Sequence, residues 1–415
     1  MSFLLLGCAV LVTALQVLLI TLNLRHLRRH GREVPRELAT EIDAATLEKS
    51  ARYTLDRSRV QLTAMLTTRA AVLVALFGGL AGDYDRIIHG LTSSFVGCAV
   101  LYFLGLALLG GLFSIPFGLY QTFVIEARHG FNRMTLGMWL GDLAKGALLS
   151  ALFLALCASA GAWLVLVSPD YYWLWVWAGL AALGILLTLL APHLIEPLFF
   201  KVTPLAMEGL EPRIQALAER AGVHVKHVFQ IDASRRSSHS NAYFTGLGPV
   251  KRVVLFDTLL ARMTPDEILG VLAHELGHWK RRHILQRFLV GQALTLASCY
   301  AAFRLLGWDG LPTLIGESGG SFFLRVTLVA FIASLLEFPA TPLFSAWSRR
   351  HEWQADEFAR ELTGNASALA SGLSKLARDN LSNLHPHPLF AAFYASHPTM
   401  PERVGRLRQQ EPVAG

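Results

Sequence analysis

Charge is what this chain has least of: Asp, Glu, Lys and Arg make up 16% of its 415 residues, against 53% apolar side chains and a mean hydropathy of +0.43. That balance excludes an ordinary soluble enzyme of this size. Cysteine is nearly absent as well. Cys8, Cys98, Cys157 and Cys299 all lie inside apolar stretches, which points to small buried residues and away from a disulfide framework or a thiolate metal site. There is no internal repeat and no low-complexity run. The first apolar stretch has no basic segment before it and no small-x-small cleavage site, and arginines follow it. It reads as a retained helix rather than a secretory signal.

Long apolar runs are what the chain has instead. Seven stretches are candidates to cross a bilayer, at 2–24, about 64–80, 94–117, 143–167, 172–195, 284–306 and 322–344. Most reach the ~20 residues that ~30 Å of hydrocarbon requires. The second is short and carries Arg69, which would cost ~2.5–3.5 kcal/mol at mid-membrane unless it snorkels or faces a wet cavity. The loop charges still need it. Residues 25–59 hold Arg25, Arg28, Arg29, Arg32, Arg36, Lys49, Arg52, Arg57 and Arg59, and the connection after the third stretch holds Arg128 and Arg133. The connections at 83–90, 168–171 and 308–320 contain only Arg86 as a basic residue. Keeping positive charge inside puts the N-terminus outside, and the segments 196–283 and 345–415 in the cytosol. The net charge of +7 therefore reads as topology and contact with anionic lipid, with no nucleic-acid partner.

One pentapeptide carries chemistry: His274-Glu275-Leu276-Gly277-His278. Histidines at i and i+4 share a helix face about 6 Å apart, which suits two imidazoles gripping one Zn²⁺. Glu275 stands beside the first, where a carboxylate can deprotonate a water that the metal activates. The alternative is a surface helix with two unrelated histidines. With 15 His in the chain, an accidental H-E-x-x-H is expected only about 0.02 times, so the metal reading is preferred. Thr264-Pro265-Asp266-Glu267 looks like a capping box with proline at the first helical position, and Val253-Val254-Leu255-Phe256 before it reads as a strand.

Two histidines and a water leave room for one more protein ligand. Glu352 is the best candidate, and Asp356, four residues on, could hold the outer nitrogen of a ligand imidazole. An exposed acidic helix is the competing reading for this pair. The geometry of the spans favours the ligand. His278 precedes the sixth stretch by a few residues, ~10 Å if its helix continues, and Glu352 follows the seventh as closely. The two stretches form a hairpin, so both ligand sets return to the same edge of the bilayer. His385 and His387 lie between prolines and read as a surface turn rather than a second metal site. Asp142 and Lys145 read as an i,i+3 pair near the interface. Asn380-Leu381-Ser382 matches a glycosylation acceptor that a cytosolic location would leave unmodified.

The chain resembles the type I CAAX prenyl protease family, seven-span membrane zinc metalloproteases. The carriers are Pro116-Phe117-Gly118-Leu119-Tyr120, Phe123 through Asn132, Ser237 through Phe244, Val271 through Trp279, Ser348 through Asp356, and Ser396-His397-Pro398. The resemblance implies a mainly α polytopic membrane protein. About seven transmembrane helices would enclose a water-filled chamber able to tolerate Arg69, Arg325 and Glu337. A cytosolic zincin-like (gluzincin) catalytic domain with a small β element would lie above it. It implies one Zn²⁺ per chain held by His274, His278 and Glu352, Glu275 as general base, and Asp356 orienting a ligand histidine. His397 with Arg403 would stabilise the tetrahedral intermediate, and the stretch Asn241, Ala242, Tyr243 would be an edge strand that receives the substrate backbone. The expected division is 1–195 for the first five membrane helices, 196–283 for the first catalytic segment, 284–344 for helices six and seven, and 345–415 for the second catalytic segment.

The preferred function is a membrane-embedded zinc metalloendopeptidase cutting near the C-terminus of prenylated or otherwise membrane-anchored polypeptides. Its membrane would be the bacterial inner membrane, or the endoplasmic reticulum in a eukaryote. Two alternatives are carried: a quality-control protease for misfolded membrane proteins, and a transporter or channel with a structural zinc. The last predicts a fourth protein ligand, for which the sequence offers no candidate.

Overall fold

A computed structural model describes residues 2–245 and 250–409. Seven of its helices are long and apolar enough to cross a membrane: Ser2–His30, Ala44–Phe77, Phe95–Glu126, Leu136–Val167, Tyr172–Phe199, His283–Leu306 and Phe322–Thr363. Polar side chains set where several begin. Asp43, Ser94, Thr135 and Ser321 each accept a backbone N–H of the first turn, satisfying donors that would otherwise be orphaned. The second helix stops at Phe77 rather than Leu80. Gly79 at φ +84° turns the chain, and Leu80–Leu91 forms a separate helix where the sequence suggested a loop. Arg325 gives its guanidinium to the carbonyls of Leu306 and Trp308, the exposed C-terminal end of the sixth membrane helix. That satisfies its charge at the interface.

Outside these helices sits a four-stranded sheet: β1 (Val202–Pro204), β2 (His224–Ile231), β3 (Ala242–Thr245) and β4 (Val250–Phe256), in the order β1-β2-β4-β3. β2 and β4 are parallel, and β3 runs antiparallel to β4 with Ala242 opposite Leu255 and Tyr243 opposite Val254. β3 is therefore an edge strand with one row of backbone groups unpaired by the sheet. The expected strand at Val253–Phe256 is the buried heart of β4.

The helix that follows, Pro265–Lys280, is the motif helix. Its inner face, with Ile268, Leu272, Ala273 and Leu276 essentially inaccessible, packs with Leu255, Leu369, Val404 and Leu407 into the largest apolar core. Leu38, Ile42 and Leu47, from the basic segment after the first membrane helix, join the same core. Gly270 permits the tight approach to helix Ala366–Asp379: a Cβ there would stand 2.9 Å from the backbone nitrogen of Leu369.

The motif helix does not run on into the membrane. Arg282 at φ +57° breaks it, and the sixth membrane helix starts afresh at His283. By contrast, Phe322–Thr363 is one helix of 42 residues despite Pro339 and Pro342 inside it. With about 63 Å of helical rise it is twice the bilayer core, so one continuous helix carries Glu352 from the membrane into the catalytic unit.

Glu267 locks the motif helix at its start. Its carboxylate accepts the Thr264 N–H (2.8 Å), the Ser371 hydroxyl (2.6 Å) and the Lys375 ammonium (2.8 Å), while Thr264 Oγ caps the helix in return. Burial alone would raise its pKa, but Lys375, Ser371 and Thr264 together overcome burial and hold the carboxyl below the usual Glu range. Replacing Glu267 by Ala is expected to cost about 2–4 kcal/mol, the loss of a cap and a mostly buried ion pair. Because the folded pKa is depressed, this stabilisation is complete above the ordinary Glu pKa and disappears as pH falls through the lower folded value. Denaturant unfolding in detergent should thus show wild type and Glu267→Ala well apart at pH 7 and converging in acid.

Candidate metal centre

The motif helix and the long helix cross where Gly277 meets Ala355. A Cβ on Gly277 would stand 3.0 Å from the Ala355 backbone, so only glycine lets the two axes come this close without a shift. That closeness brings Glu352, one turn before Asp356, up to the two motif histidines.

Three electron-pair donors converge there. His274 Nε2 and His278 Nε2 are 3.1 Å apart, and Glu352 places Oε2 3.3 Å from the first and Oε1 3.3 Å from the second. Zn–N bonds of about 2.0–2.1 Å at tetrahedral angles put ligand atoms about 3.3 Å apart, and these spacings match. The hydrogens are elsewhere. His274 Nδ1 faces the Asp356 carboxylate at 2.8 Å, an acceptor only, so that nitrogen carries the proton and Nε2 presents a lone pair. On the other side His283 Nε2 donates to Gln354 Oε1 at 2.8 Å, leaving its Nδ1 to accept from His278 Nδ1 at 3.0 Å. The Nε2 of His278 is again a lone pair. Glu352 Oε2 is buried with no hydrogen-bond partner among the described residues. Two imidazole lone pairs and an unpartnered buried carboxylate oxygen facing one another call for a cation, and the donor set suits zinc.

The surrounding field agrees. Burial and the Arg403 guanidinium oppose a proton on His274, but Asp356 and Glu352 outweigh them and raise its pKa to about 9. The same field favours a dication in the proton's place. Arg403 is buried and fixed by two bonds to Asp356, Nε to Oδ2 at 2.8 Å and Nη2 to Oδ1 at 2.6 Å, with Nη1 3.6 Å from Glu352. Burial disfavours its charge, yet Asp356, Glu352 and Glu275 more than compensate and keep it protonated. His397 is half exposed, its Nε2 3.4 Å from Glu352 Oε1 and its Nδ1 2.8 Å from Ser396 Oγ. Glu275 is half-buried on the motif helix and without a hydrogen-bond partner among the described residues.

All of the anticipated ligand and helper residues except Asn241, Ala242 and Tyr243 thus touch one cluster or neighbour it on the same turn. Those three lie at the edge strand: Asn241 just precedes β3 and accepts the Phe256 N–H at 3.1 Å, and Tyr243 donates its hydroxyl to Glu196 at 2.8 Å. His385 and His387 join no metal-like cluster among the described residues. They bond the Glu33 carbonyl and cap helix Pro388–Tyr394, as a surface turn should. Asp142 pairs with Lys145 as expected and also takes a two-pronged bond from Arg236.

Residues 23–201 match the family model described as CAAX prenyl protease N-terminal, five membrane helices, and residues 204–411 match peptidase family M48. The chain belongs to the CAAX prenyl proteases of peptidase family M48. It is 34% identical to the CAAX prenyl protease 1 homolog of Arabidopsis thaliana, covering 89% of each chain. It is 31% identical to the Homo sapiens homolog, covering 92% of this chain and 90% of that one. The fold superposes on the crystal structure of S. mikatae Ste24p with a TM-score of 0.87 at 29% identity, over 96% of this chain and 99% of that one. Family and site together make it a multi-pass membrane zinc metalloendopeptidase with a His/His/Glu cluster compatible with zinc.

Two parts of the site escaped the sequence. His283 and Gln354 fix the tautomer of His278, and His283 in turn stacks on His351 with ring centroids 3.9 Å apart. The other is a clamp between the membrane helices and the edge strand. A π-helical turn at Gln121–Glu126 aims Glu126 at three partners: the Tyr53 hydroxyl (2.8 Å), Gln121 Nε2 (2.8 Å) and the His239 ring (3.4 Å). His239 lies flat on Phe131 and reaches Asn380 Oδ1, and Asn380 also takes the Ser240 N–H, two residues short of β3. π-turns cluster at functional sites because they re-aim one side chain inside a helix. Replacing His283 by Ala should lower zinc affinity about 10–100-fold. Competition against a fluorescent chelator would measure this, with the Pro265–Lys280 helix retained by circular dichroism.

Proposed function

We propose that the protein hydrolyses a peptide bond near the C-terminus of prenylated or otherwise membrane-anchored polypeptides, with one zinc ion held by His274, His278 and Glu352. The observation that carries this reading is the placement of that cluster where a membrane helix emerges, on a rod shared by span and site. The CAAX prenyl protease relatives support the substrate class. The working division stays 1–195, 196–283, 284–344 and 345–415, with 34–47 contributing to the catalytic core.

Zinc, when bound, supplies a Lewis acid and lowers the pKa of a ligated water. Every other step belongs to the chain. Glu275 takes the proton of the attacking water and returns it to the leaving amine. Asp356 holds His274 in the tautomer that presents Nε2 to the metal, and Arg403 holds Asp356 in turn. His397, the exposed member, donates to the oxygen that gains charge in the tetrahedral intermediate, and the buried Arg403 adds positive potential from behind. The free edge of β3, at Asn241, Ala242 and Tyr243, receives an extended substrate through main-chain hydrogen bonds.

The catalytic side faces the cytosol and the N-terminus faces out, following the basic residues of 25–59. A Gly319→Cys chain, with nothing near that position to clash, should be labelled by an impermeant maleimide from the outside only. Replacing Glu275 by Gln should lower hydrolysis of a farnesylated peptide at least 10²–10⁴-fold while close to one zinc per chain remains bound. Retained hydrolysis would remove Glu275 from the reaction.

A further inference from the structure

Beneath the metal cluster, a cavity of about 430 Å³ opens between the sixth membrane helix and the long helix. Its walls come from the three segments that build the site: the helix after His283, the helix bearing Glu352, and the loop bearing His397. Val290 and Leu294 face Phe344 and Trp347 across it, and Ser396, next to His397, closes its upper end. The third wall is fixed in place, because Ser345 donates to the Phe393 carbonyl at 2.7 Å and Arg349 to those of Ala391 and Ala395.

One cation stands at the rim. Arg287 donates Nη2 to Ser348 Oγ at 3.1 Å and pairs with no carboxylate among the described residues. Ser348 is one turn before Glu352, about 6 Å along the same helix. The only carboxylate lining the cavity, Glu337, lies about 16 Å deeper by the same rise, too far to neutralise the guanidinium. The groove therefore runs from a cation near the metal, through an apolar middle, to an acidic foot.

We propose that Arg287 binds the free C-terminal carboxylate of the substrate, and that Val290 and Phe344, each about one turn deeper than the Arg287–Ser348 rim, receive the apolar side chains of the segment released by the cut. This deepens, and rests on, the substrate reading given above. The lengths agree. An extended peptide advances about 3.3 Å per residue, so a carboxylate two or three residues beyond the scissile bond spans about 7–10 Å, enough to cover the roughly 6 Å of helical rise between Glu352 and Ser348, which Arg287 touches. A C-a-a-X terminus places three residues between the lipidated cysteine and the carboxylate. Arg is suited to the task, since its planar fork can keep Ser348 on one N–H and offer the others to both carboxylate oxygens.

The test uses two farnesyl-cysteine peptides that differ only at the C-terminus, free acid or amide, with the full-length protein in detergent. Wild type should favour the acid by about tenfold or more in kcat/KM, with the difference in KM because the contact is made equally in ground and transition states. In Arg287→Gln the acid-to-amide ratio should fall close to one, and Arg287→Lys should restore part of it. Val290→Glu, one turn further along the helix, should reverse the preference by setting a carboxylate beside the guanidinium, and it guards against a folding defect peculiar to Arg287. Equal cleavage of acid and amide by wild type, or an undiminished preference in Arg287→Gln, overturns the proposal and leaves Arg287 as an arginine anchored at the lipid headgroups. A wild type that cuts neither peptide but degrades an unfolded membrane protein strikes the substrate reading itself, and this subsite with it.

Discussion

Lone pairs repel, and the structure spends much of its organisation on forcing three sets of them together. His274 Nε2, His278 Nε2 and the Glu352 carboxylate meet at 3.1–3.3 Å. A dication makes such an arrangement favourable by taking the place of a proton, and a fixed frame makes it available before the metal arrives. The frame consists of two helices crossing at a glycine and two hydrogen-bond chains behind the imidazoles. On one side Arg403 holds Asp356, which holds His274. On the other Gln354 holds His283, which holds His278. The first chain passes through the Asp356 carboxylate, which can only accept, and the second ends on the Gln354 carbonyl oxygen, which accepts from His283; each imidazole of the pair is thereby steered toward one tautomer.

The membrane shapes this site more directly than proximity suggests. One continuous helix of 42 residues connects the membrane span to Glu352. On the other flank, the break at Arg282 separates the motif helix from its membrane helix and turns His283 back toward His278. Farther away, Glu126, Tyr53 and His239 tie the second and third membrane helices to the residues that lead into β3. The surface that would hold a peptide backbone is thus fastened to the membrane helices, and the surface that would cleave it is fastened to the long rod. Lateral position in the lipid and position relative to the metal become one constraint.

The membrane helices and the catalytic unit also divide the physical work. The helices expose apolar side chains to lipid and bury little among themselves, while the largest close-packed core belongs to the catalytic unit. Leu38, Ile42 and Leu47 cross that division from the N-terminal side, so the basic segment after the first membrane helix also belongs to the core that supports the motif helix.

Much of this was legible beforehand. Hydropathy alone places seven spans, because a bilayer allows few other ways to satisfy a backbone. The pentapeptide announces that His274 and His278 come together, because i and i+4 share a face on any helix, and Glu352 with Asp356 obeys the same rule. His283 is illegible by that rule. Five residues along an unbroken helix would turn it about 140° away from His278, and only the left-handed residue at Arg282 returns it. Gln354, Asn380 and Glu126 carry no local pattern either; their partners lie 71, 141 and 113 residues away. Periodicity and short motifs determine which side chains can act, since they depend on neighbours along the chain. Tautomer, helix spacing and the groove under the metal depend on atoms brought together from distant segments, and those were decided by tertiary packing alone.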